Sequence, residues 1–474
     1  MTFVVTAIGA ILRWPRLNFP NAVVFDETYY VKDAYALLTN GFEREAVENA
    51  DTLLLQGRLD LFQTPGSFIA HPPMGKWVIA LGEHFYGLNS FGWRVGVAVM
   101  GTLLVLVTTR VAIRFTRSIW FGCLAGLLIA IDGLAIVMSR TALLDGIMTT
   151  FMMISLWALL LDRDYVRKRI SRKPKPNSLF GGHLTWHPWR FVAGIFIGAA
   201  IATKWSALWY LAIFGLLTLI WKYSFRKLRK ARRPFLAVLA VDSWWAGLQL
   251  IVPAFFVYLA SWTGWIRTSD GWGRNANETG LFNTLKSLLS YHEQIWNFHI
   301  NLTTTHAYQA YALGWPILLR PTSFFYEENL PNCVTDNCAM ETLAIGNPLI
   351  WWSGVIALII LFVSFLVNKN WRSGTVVFLF LAGWAPWLLF PERTMFYFYS
   401  IVYLPFIVIA IAYLAQIIYR KYKDNETSRK VYLFLITVFL IAIIVLSVYF
   451  YPIWTAVSLP KDQWLMRMWF NNWI

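Results

Sequence analysis

The feature that most restricts this chain is a series of apolar runs near membrane thickness, separated by loops in which lysine and arginine are unevenly distributed. A membrane-spanning helix needs roughly 20 apolar residues. Runs of that order stand at 2–14, 91–113, 119–138, 143–161, 191–203, 205–221, 244–265, 349–367, 375–390, 396–419 and 431–451. Backbone polar groups in hydrocarbon must be bonded within their own segment, so runs of this kind are expected to be helices. The chain is therefore read as an all-α polytopic membrane protein with about 11 transmembrane helices. Its 58% hydrophobic and 14% charged residues fit that class, since soluble domains carry about 25% charge. The first and fifth runs are short, which leaves the first open to trimming and the fifth and sixth to forming a shallow hairpin around Lys204.

The net charge of +16 suggests nucleic acid until its distribution is followed. Cations concentrate in the loops after even-numbered runs: Arg163, Arg167, Lys168, Arg169, Arg172, Lys173 and Lys175, then Arg226, Lys227, Arg229, Lys230, Arg232 and Arg233. Later loops hold Lys369 and Arg372, then Arg420, Lys421, Lys423, Arg429 and Lys430, whereas 266–347 has only Arg267, Arg274, Lys286 and Arg320. Basic loops stay cytoplasmic, so the N-terminus is expected inside, the C-terminus outside, and nucleic acid is not a partner. No small-residue cleavage site follows the first run, which is expected to remain as an anchor.

Three regions follow: an N-terminal transmembrane region 1–265 that includes the outside loop 15–90, an outside loop 266–347, and a C-terminal transmembrane region 348–474. Cys123 lies in a run, while Cys333 and Cys338 lie outside, where an oxidising compartment favours a disulfide over a zinc site. In the first outside loop, 29–38 and 76–85 read as amphipathic interfacial helices. Between them His71-Pro72-Pro73-Met74-Gly75-Lys76 forms a rigid turn that carries an imidazole and an ammonium. The adjacent pair Asp26-Glu27 stands just past the first run. A carboxylate at that boundary can deprotonate an acceptor hydroxyl while a lipid-borne donor is presented from the bilayer, which points to a transferase.

Val24-Phe25-Asp26-Glu27-Thr28-Tyr29-Tyr30, the His71 to Lys76 turn and Ser139-Arg140-Thr141-Ala142-Leu143-Leu144-Asp145 together resemble the protein O-mannosyltransferase family. Thr203-Lys204-Trp205-Ser206, Trp315-Pro316, Leu319-Arg320-Pro321 and the segment from Pro391 to Tyr399 continue the resemblance over nearly the whole chain. It implies a GT-C membrane glycosyltransferase, of glycosyltransferase family 39, that takes mannose from a polyprenyl-phosphate carrier to Ser or Thr hydroxyls of exported proteins. Eukaryotic members carry a β-trefoil domain in the outside loop that 266–347 is too short to hold, so the resemblance is to the bacterial, actinobacterial-type branch in the plasma membrane. Implied partners are polyprenyl-phosphate-mannose, a Ser/Thr-containing exported protein or peptide and membrane lipids, with association to the secretion translocon left open.

On this reading Asp26 is the general base of an inverting transfer, its bland alternative being a helix N-cap. Glu27 is expected to contact acceptor or sugar hydroxyls, or to hold a basic neighbour. Fixed cations for the departing phosphate are sought in Arg94, Arg140, Lys204 and Arg393, with Asp145 nearby; an Arg140–Asp145 pair that braces two helices is the rival. Lys204 has no acidic neighbour in sequence, which favours a phosphate partner. His71 and Lys76 are expected to orient donor or acceptor, or to fasten the loop. Asp132 and Asp242 read as structural, the tryptophans Trp262, Trp265, Trp351 and Trp352 as interface anchors. No cofactor or metal is expected, and the sequons at 277–279 and 301–303 are assigned nothing. Two other functions stay open: a sister GT-C enzyme that modifies a lipid or cell-wall glycan, distinguished by its acceptor, and a transporter or flippase, which predicts inverted repeats and polar groups at span centres.

Overall fold

A computed structural model describes residues 1–474 except 172–178, 181–185, 275–279, 331–332 and 334–336. Arg172, Lys173, Lys175 and the first sequon therefore lie outside the described residues. From the N-terminus, α1 (Thr2–Arg13) leads through a loop into α2 (Glu27–Asn40), the strand β1 (Arg44–Ala46), α3 (Ala50–Leu55), β2 (Phe62–Gly66) and α4 (Met74–Tyr86), with β1 and β2 antiparallel. There follow α5 (Ser90–Thr116), α6 (Ile119–Ile131), α7 (Gly133–Val137), α8 (Leu144–Ser171), α9 (Pro188–Ile201), α10 (Leu208–Leu228), α11 (Pro234–Ala237) and α12 (Ser243–Ser261). The chain then forms α13 (Thr263–Arg267), α14 (Leu281–Ile300), β3 (Thr322–Glu328), β4 (Cys338–Ala344), α15 (Pro348–Asn368) and α16 (Trp371–Trp384). It ends with α17 (Leu404–Tyr422), α18 (Glu426–Trp454), β5 (Leu459–Pro460) and α19 (Lys461–Leu465).

Eight helical stretches among the described residues are long and apolar enough to cross a membrane, and α1, α6 and α9 are shorter apolar helices. Each of the eleven apolar runs coincides with one of these, although length and composition qualify only the eight. Two boundaries differ from the sequence reading for identifiable reasons. The third run breaks at Asp132, whose Oδ1 accepts from the backbone N–H of Ala135 and caps α7, while its Oδ2 accepts from Asn347 N–H and Trp351 Nε1, both at 3.0 Å. Such a cap stabilises a new helix start at the expense of the old one. The tenth run begins at 396, yet α17 starts only at Leu404; Tyr397–Val402 is a buried 3-10 turn whose aromatic rings pack sideways, Tyr397 on Trp351 and Phe398 on Phe324.

The segments 15–90 and 266–347, where described, form a cap at one end of the bundle. In it β3, β4 and β5 make a three-stranded antiparallel sheet that draws residues just after α18 back beside the 322–344 hairpin. Cys333 and Cys338 are joined by a disulfide next to β4. Basic residues cluster at the opposite end, at the C-termini of α5, α8 and α10.

Helix starts buried between the cap and the bundle have no water for their free N–H groups. At α15 the solution is Asn347, whose Oδ1 accepts from Leu349 N–H at 3.0 Å and Ile350 N–H, while its Nδ2 donates to Ile443 O and Ser447 Oγ, both at 2.9 Å. Asn425 caps α18 in the same way through Ser428 N–H at 2.8 Å, but in the open. Asn347→Ala is expected to destabilise by roughly 2–4 kcal/mol, a lost cap plus stranded buried groups, and Asn425→Ala by about 1 kcal/mol. Thermal unfolding of both variants in one detergent checks this; equal losses would show that burial of the cap does not matter.

Candidate active site

Asp26 closes the loop after α1, at the N-cap position of α2, where its own carbonyl accepts from Tyr29 and Tyr30 N–H at 3.0 and 3.2 Å. Its side chain caps nothing. The residue before it, Phe25, has φ +49°, a left-handed conformation that a bulky residue adopts only under constraint. The constraint is an aromatic cage: the Phe25 ring stacks on Phe324 at 4.9 Å and meets Phe396 and Phe398 edge to face, each at 5.5 Å. The turn therefore aims the half-buried Asp26 carboxylate away from the helix, and no side-chain hydrogen bond reaches it among the described residues. Burial pushes its pKa up to about 6; Lys204 opposes that shift and Asp145 adds to it.

Glu27 goes the other way. It is fully buried, and in place of the expected substrate contact its oxygens accept from Arg94 Nε and Nη2, both at 2.8 Å, from Val24 N–H at 3.0 Å and from Ala142 N–H at 2.9 Å. Arg94 is consumed in turn: Nη1 donates to Pro20 O and Nη2 to Ala22 O, both at 2.8 Å. Arg140 is likewise taken up by carbonyls of the first loop, donating to Arg13 O at 2.6 Å, Pro15 O at 2.7 Å and Arg16 O at 2.8 Å. The rival Arg140–Asp145 brace is absent, because Asp145 bonds Lys204 through both oxygens at 2.9 and 3.0 Å. Lys204 has no acidic neighbour in sequence, and the fold supplies one from 59 residues away. Lys76 is buried between Asp33 at 2.8 Å and Glu43 at 3.1 Å; burial works against its charge, yet the two carboxylates raise its pKa, and it ties α4 to α2.

What remains beside Asp26 is a smaller electropositive set. The Lys204 ammonium sits 4.1 Å from the centre of the Tyr399 ring. Arg393 ignores the adjacent Glu392 and donates through Nε to His299 O at 3.1 Å, with Nη2 3.3 Å from His299 Nδ1. His299 Nε2 lies 2.7 Å from Ala70 O, a geometry that requires the proton on Nε2 and leaves Nδ1 as acceptor. Its pKa is lowered to about 4 by burial and by Arg393, so it is neutral. The His71 ring stacks on His299 at 5.0 Å and its buried Nδ1 has no partner among the described residues. Burial first, then Lys204, His299, Lys76 and Arg393 hold His71 well below the usual imidazole range. A neutral imidazole with an open nitrogen, beside two cations, is suited to a hydroxyl or an anion.

A void of only about 10 Å³ is lined by Asp145, Tyr399, Ser206, Trp387 and Trp209, and Trp209 is itself 46% exposed. Phe25, Tyr399 and His299 were given no role from the sequence. Phe25 and Tyr399 stand inside motifs quoted for the resemblance, and that was their signal; His299, on a long amphipathic helix, had none.

Residues 3–263 match the family model described as dolichyl-phosphate-mannose-protein mannosyltransferase, and 284–473 match the C-terminal four TMM region of protein-O-mannosyltransferase. The chain is 33% identical to the polyprenol-phosphate-mannose–protein mannosyltransferase of Mycolicibacterium smegmatis, with 100% of this chain and 92% of the relative covered. Against the protein of the same name from Corynebacterium glutamicum it is 27% identical, covering 95% and 88%. Its fold is similar to a chain of the S. cerevisiae protein O-mannosyltransferase Pmt1-Pmt2 complex bound to the sugar donor, with a TM-score of 0.73 at 14% identity over 100% of this chain and 92% of that one.

If the Glu27–Arg94 pair positions Asp26, removing one partner strands a buried charge. Glu27→Ala is expected to destabilise by about 3–5 kcal/mol, whereas the Glu27→Met/Arg94→Met double variant recovers most of that stability. Mannosyl transfer by the double variant stays at least about tenfold reduced, because the turn at Asp26 is no longer pinned. Thermal unfolding and peptide mannosylation, measured on the same preparations, separate the two effects; full activity in a stable double variant would dismiss the positioning role.

Proposed function

The chain belongs to the dolichyl-phosphate-mannose-protein mannosyltransferase family, and from that premise we propose that Asp26 is the base with which it mannosylates exported proteins. It is a multi-pass membrane glycosyltransferase that moves mannose from polyprenyl-phosphate-mannose to protein hydroxyls. The observation that carries the assignment is the contrast within one dipeptide: the Glu27 carboxylate is saturated by four hydrogen bonds, while the Asp26 carboxylate beside it makes none among the described residues and has a pKa pushed up to about 6. A base with that pKa is ionised at neutral pH yet basic enough to take a proton from an alcohol as the alcohol becomes an oxonium.

The acceptor Ser or Thr oxygen attacks the anomeric carbon of mannose as the bond from that carbon to the phosphate oxygen breaks. Asp26 receives the hydroxyl proton and later passes it to solvent. The polyprenyl phosphate departs with the bonding pair, and attack opposite the leaving group inverts the anomeric centre. Lys204 and Arg393 face the phosphate and stabilise charge that grows on it in the transition state. Lys204 is suited to this because two of its donors are spent on Asp145, which keeps it charged and oriented, and a third remains. His71 offers its open nitrogen to a sugar or acceptor hydroxyl. The prenyl chain enters past Trp209 and Trp387, and the acceptor enters from the cap. Glu27, Arg94, Arg140 and Lys76 act as positioning residues.

The asymmetry of basic loops supports a bacterial plasma-membrane enzyme with a cytoplasmic N-terminus and the active site on the external face. The regions 1–265 and 348–474 then form the membrane body, and 266–347 completes the external cap.

With purified protein, polyprenyl-phosphate-mannose and a Ser/Thr/Pro-rich peptide, Asp26→Asn is expected to lower kcat by about 10²–10⁴-fold with little change in donor KM. Undiminished transfer would remove Asp26 from the mechanism. A base must be ionised to act, so kcat/KM should fall as pH drops through about 6. An acid limb near 4, the range of an ordinary aspartate, would contradict the environment described for Asp26. Transfer of a different sugar, or to a lipid and not to the peptide, would favour the sister GT-C reading.

A further inference from the structure

At the end of the bundle opposite Asp26 lies a cavity of about 530 Å³, within the roughly 300–1,000 Å³ typical of ligand sites. Its walls come from the basic ends of α5, α8, α9 and α10 and from the α15–α16 turn. None of its lining residues takes part in the mechanism above. We propose that this cavity binds an anionic phospholipid of the leaflet on the basic side, its phosphate held among Arg163, Arg190 and Arg372.

The charge arrangement calls for an anion. Among the described residues six cations line the cavity, Arg114, Arg163, Arg167, Arg190, Lys222 and Arg372, against the single carboxylate Asp162. Asp162 is already engaged by His187 at 2.9 Å and Arg190 at 3.0 Å, and Lys222 is 3.0 Å from His187 and 3.7 Å from Asp242. Arg114 pairs with Asp164. Arg163, Arg167 and Arg372 have no carboxylate partner among the described residues.

The second observation is Arg190 itself. It is 1% exposed and faces the cavity, yet its Nε and Nη1 have no hydrogen-bond partner among the described residues. Arg163 also leaves a buried Nε unbonded. Buried guanidinium donors left bare are costly, and an oxyanion seated between them satisfies both.

The apolar half of the cavity identifies the anion as a lipid. Beyond the cations the wall continues toward mid-membrane as Ile213, Leu216, Leu217 and Phe378. Leu216 is 52% and Phe378 39% exposed, so the cavity opens sideways between α10 and α16 onto the apolar flank. A free phosphate has no use for that surface; an acyl chain beneath a phosphate headgroup covers it.

The test uses the full-length protein, delipidated in detergent and titrated with phosphatidylglycerol, phosphatidylcholine, polyprenyl phosphate or inorganic phosphate, with bound lipid read by native mass spectrometry. Phosphatidylglycerol is expected to bind, phosphatidylcholine at least about tenfold more weakly, and Arg163→Gln/Arg372→Gln to weaken phosphatidylglycerol about 30-fold. Arg163→Lys/Arg372→Lys should retain most of the binding. Leu216→Trp, which fills the mouth without altering charge, should also reduce it. Unchanged melting in detergent shows that the variants are folded. Equal binding of phosphatidylcholine, or indifference to both double variants and to Leu216→Trp, overturns the proposal. Displacement by millimolar inorganic phosphate overturns the lipid assignment, and preference for polyprenyl phosphate overturns the phospholipid one. These readouts do not involve sugar transfer, so failure here leaves the assignment of Asp26 untouched, and the reverse.

Discussion

The buried pair between Glu27 and Arg94 organises the end of this molecule that holds Asp26. One guanidinium gathers the carbonyls of Pro20 and Ala22 and both oxygens of Glu27, and Glu27 gathers the backbone N–H groups of Val24 and Ala142. Three parts of the chain are pinned at one point: the loop after α1, the N-terminus of α5 and the segment before α8. A buried ion pair contributes little net stability once desolvation is counted. Its value here is geometric, since it fixes the backbone on both sides of Phe25 and Asp26 and so determines where the one unbonded carboxylate points.

The same logic sorts the other cations. A charge deep in protein must be satisfied, and it can be satisfied by the fold or by a ligand. Arg13 donates to Gly9 O, Ala130 O, Ile129 O and Ser139 Oγ; Arg140 donates to three loop carbonyls; Lys76 is held by two carboxylates. These are bonded to the fold itself and shape the loop. Lys204 is oriented by Asp145, and Arg393 by His299 and the Thr394 carbonyl.

Asp145 joins the two sides of the site. It fixes Lys204, contributes to the raised pKa of Asp26 and lines the small void that Trp209 also borders. At the far end of α8 the situation reverses: cations exceed carboxylates, guanidinium donors stay bare, and the cavity between them is open to an anion.

The sequence by itself determined the membrane class and the positions of the apolar helices, because burial of backbone polar groups in hydrocarbon permits few alternatives and the periodicity of apolar residues is local. It also placed Asp26 at a membrane boundary and supplied the motifs that mark the family. Only the tertiary structure decided which charges meet: Asp26 and Glu27 are adjacent and chemically alike, yet one is saturated by groups as far as 115 residues away and the other is left open. Lys204 appeared unpaired because its partner is 59 residues distant, and Arg140 appeared matched to Asp145 because the two are close in the chain. The 3-10 turn at Tyr397–Val402 is apolar enough to continue a helix and is held out of one by rings from other segments. Electrostatic and aromatic contacts act through space at a few ångströms, and chain separation carries no information about that distance until the helices have packed.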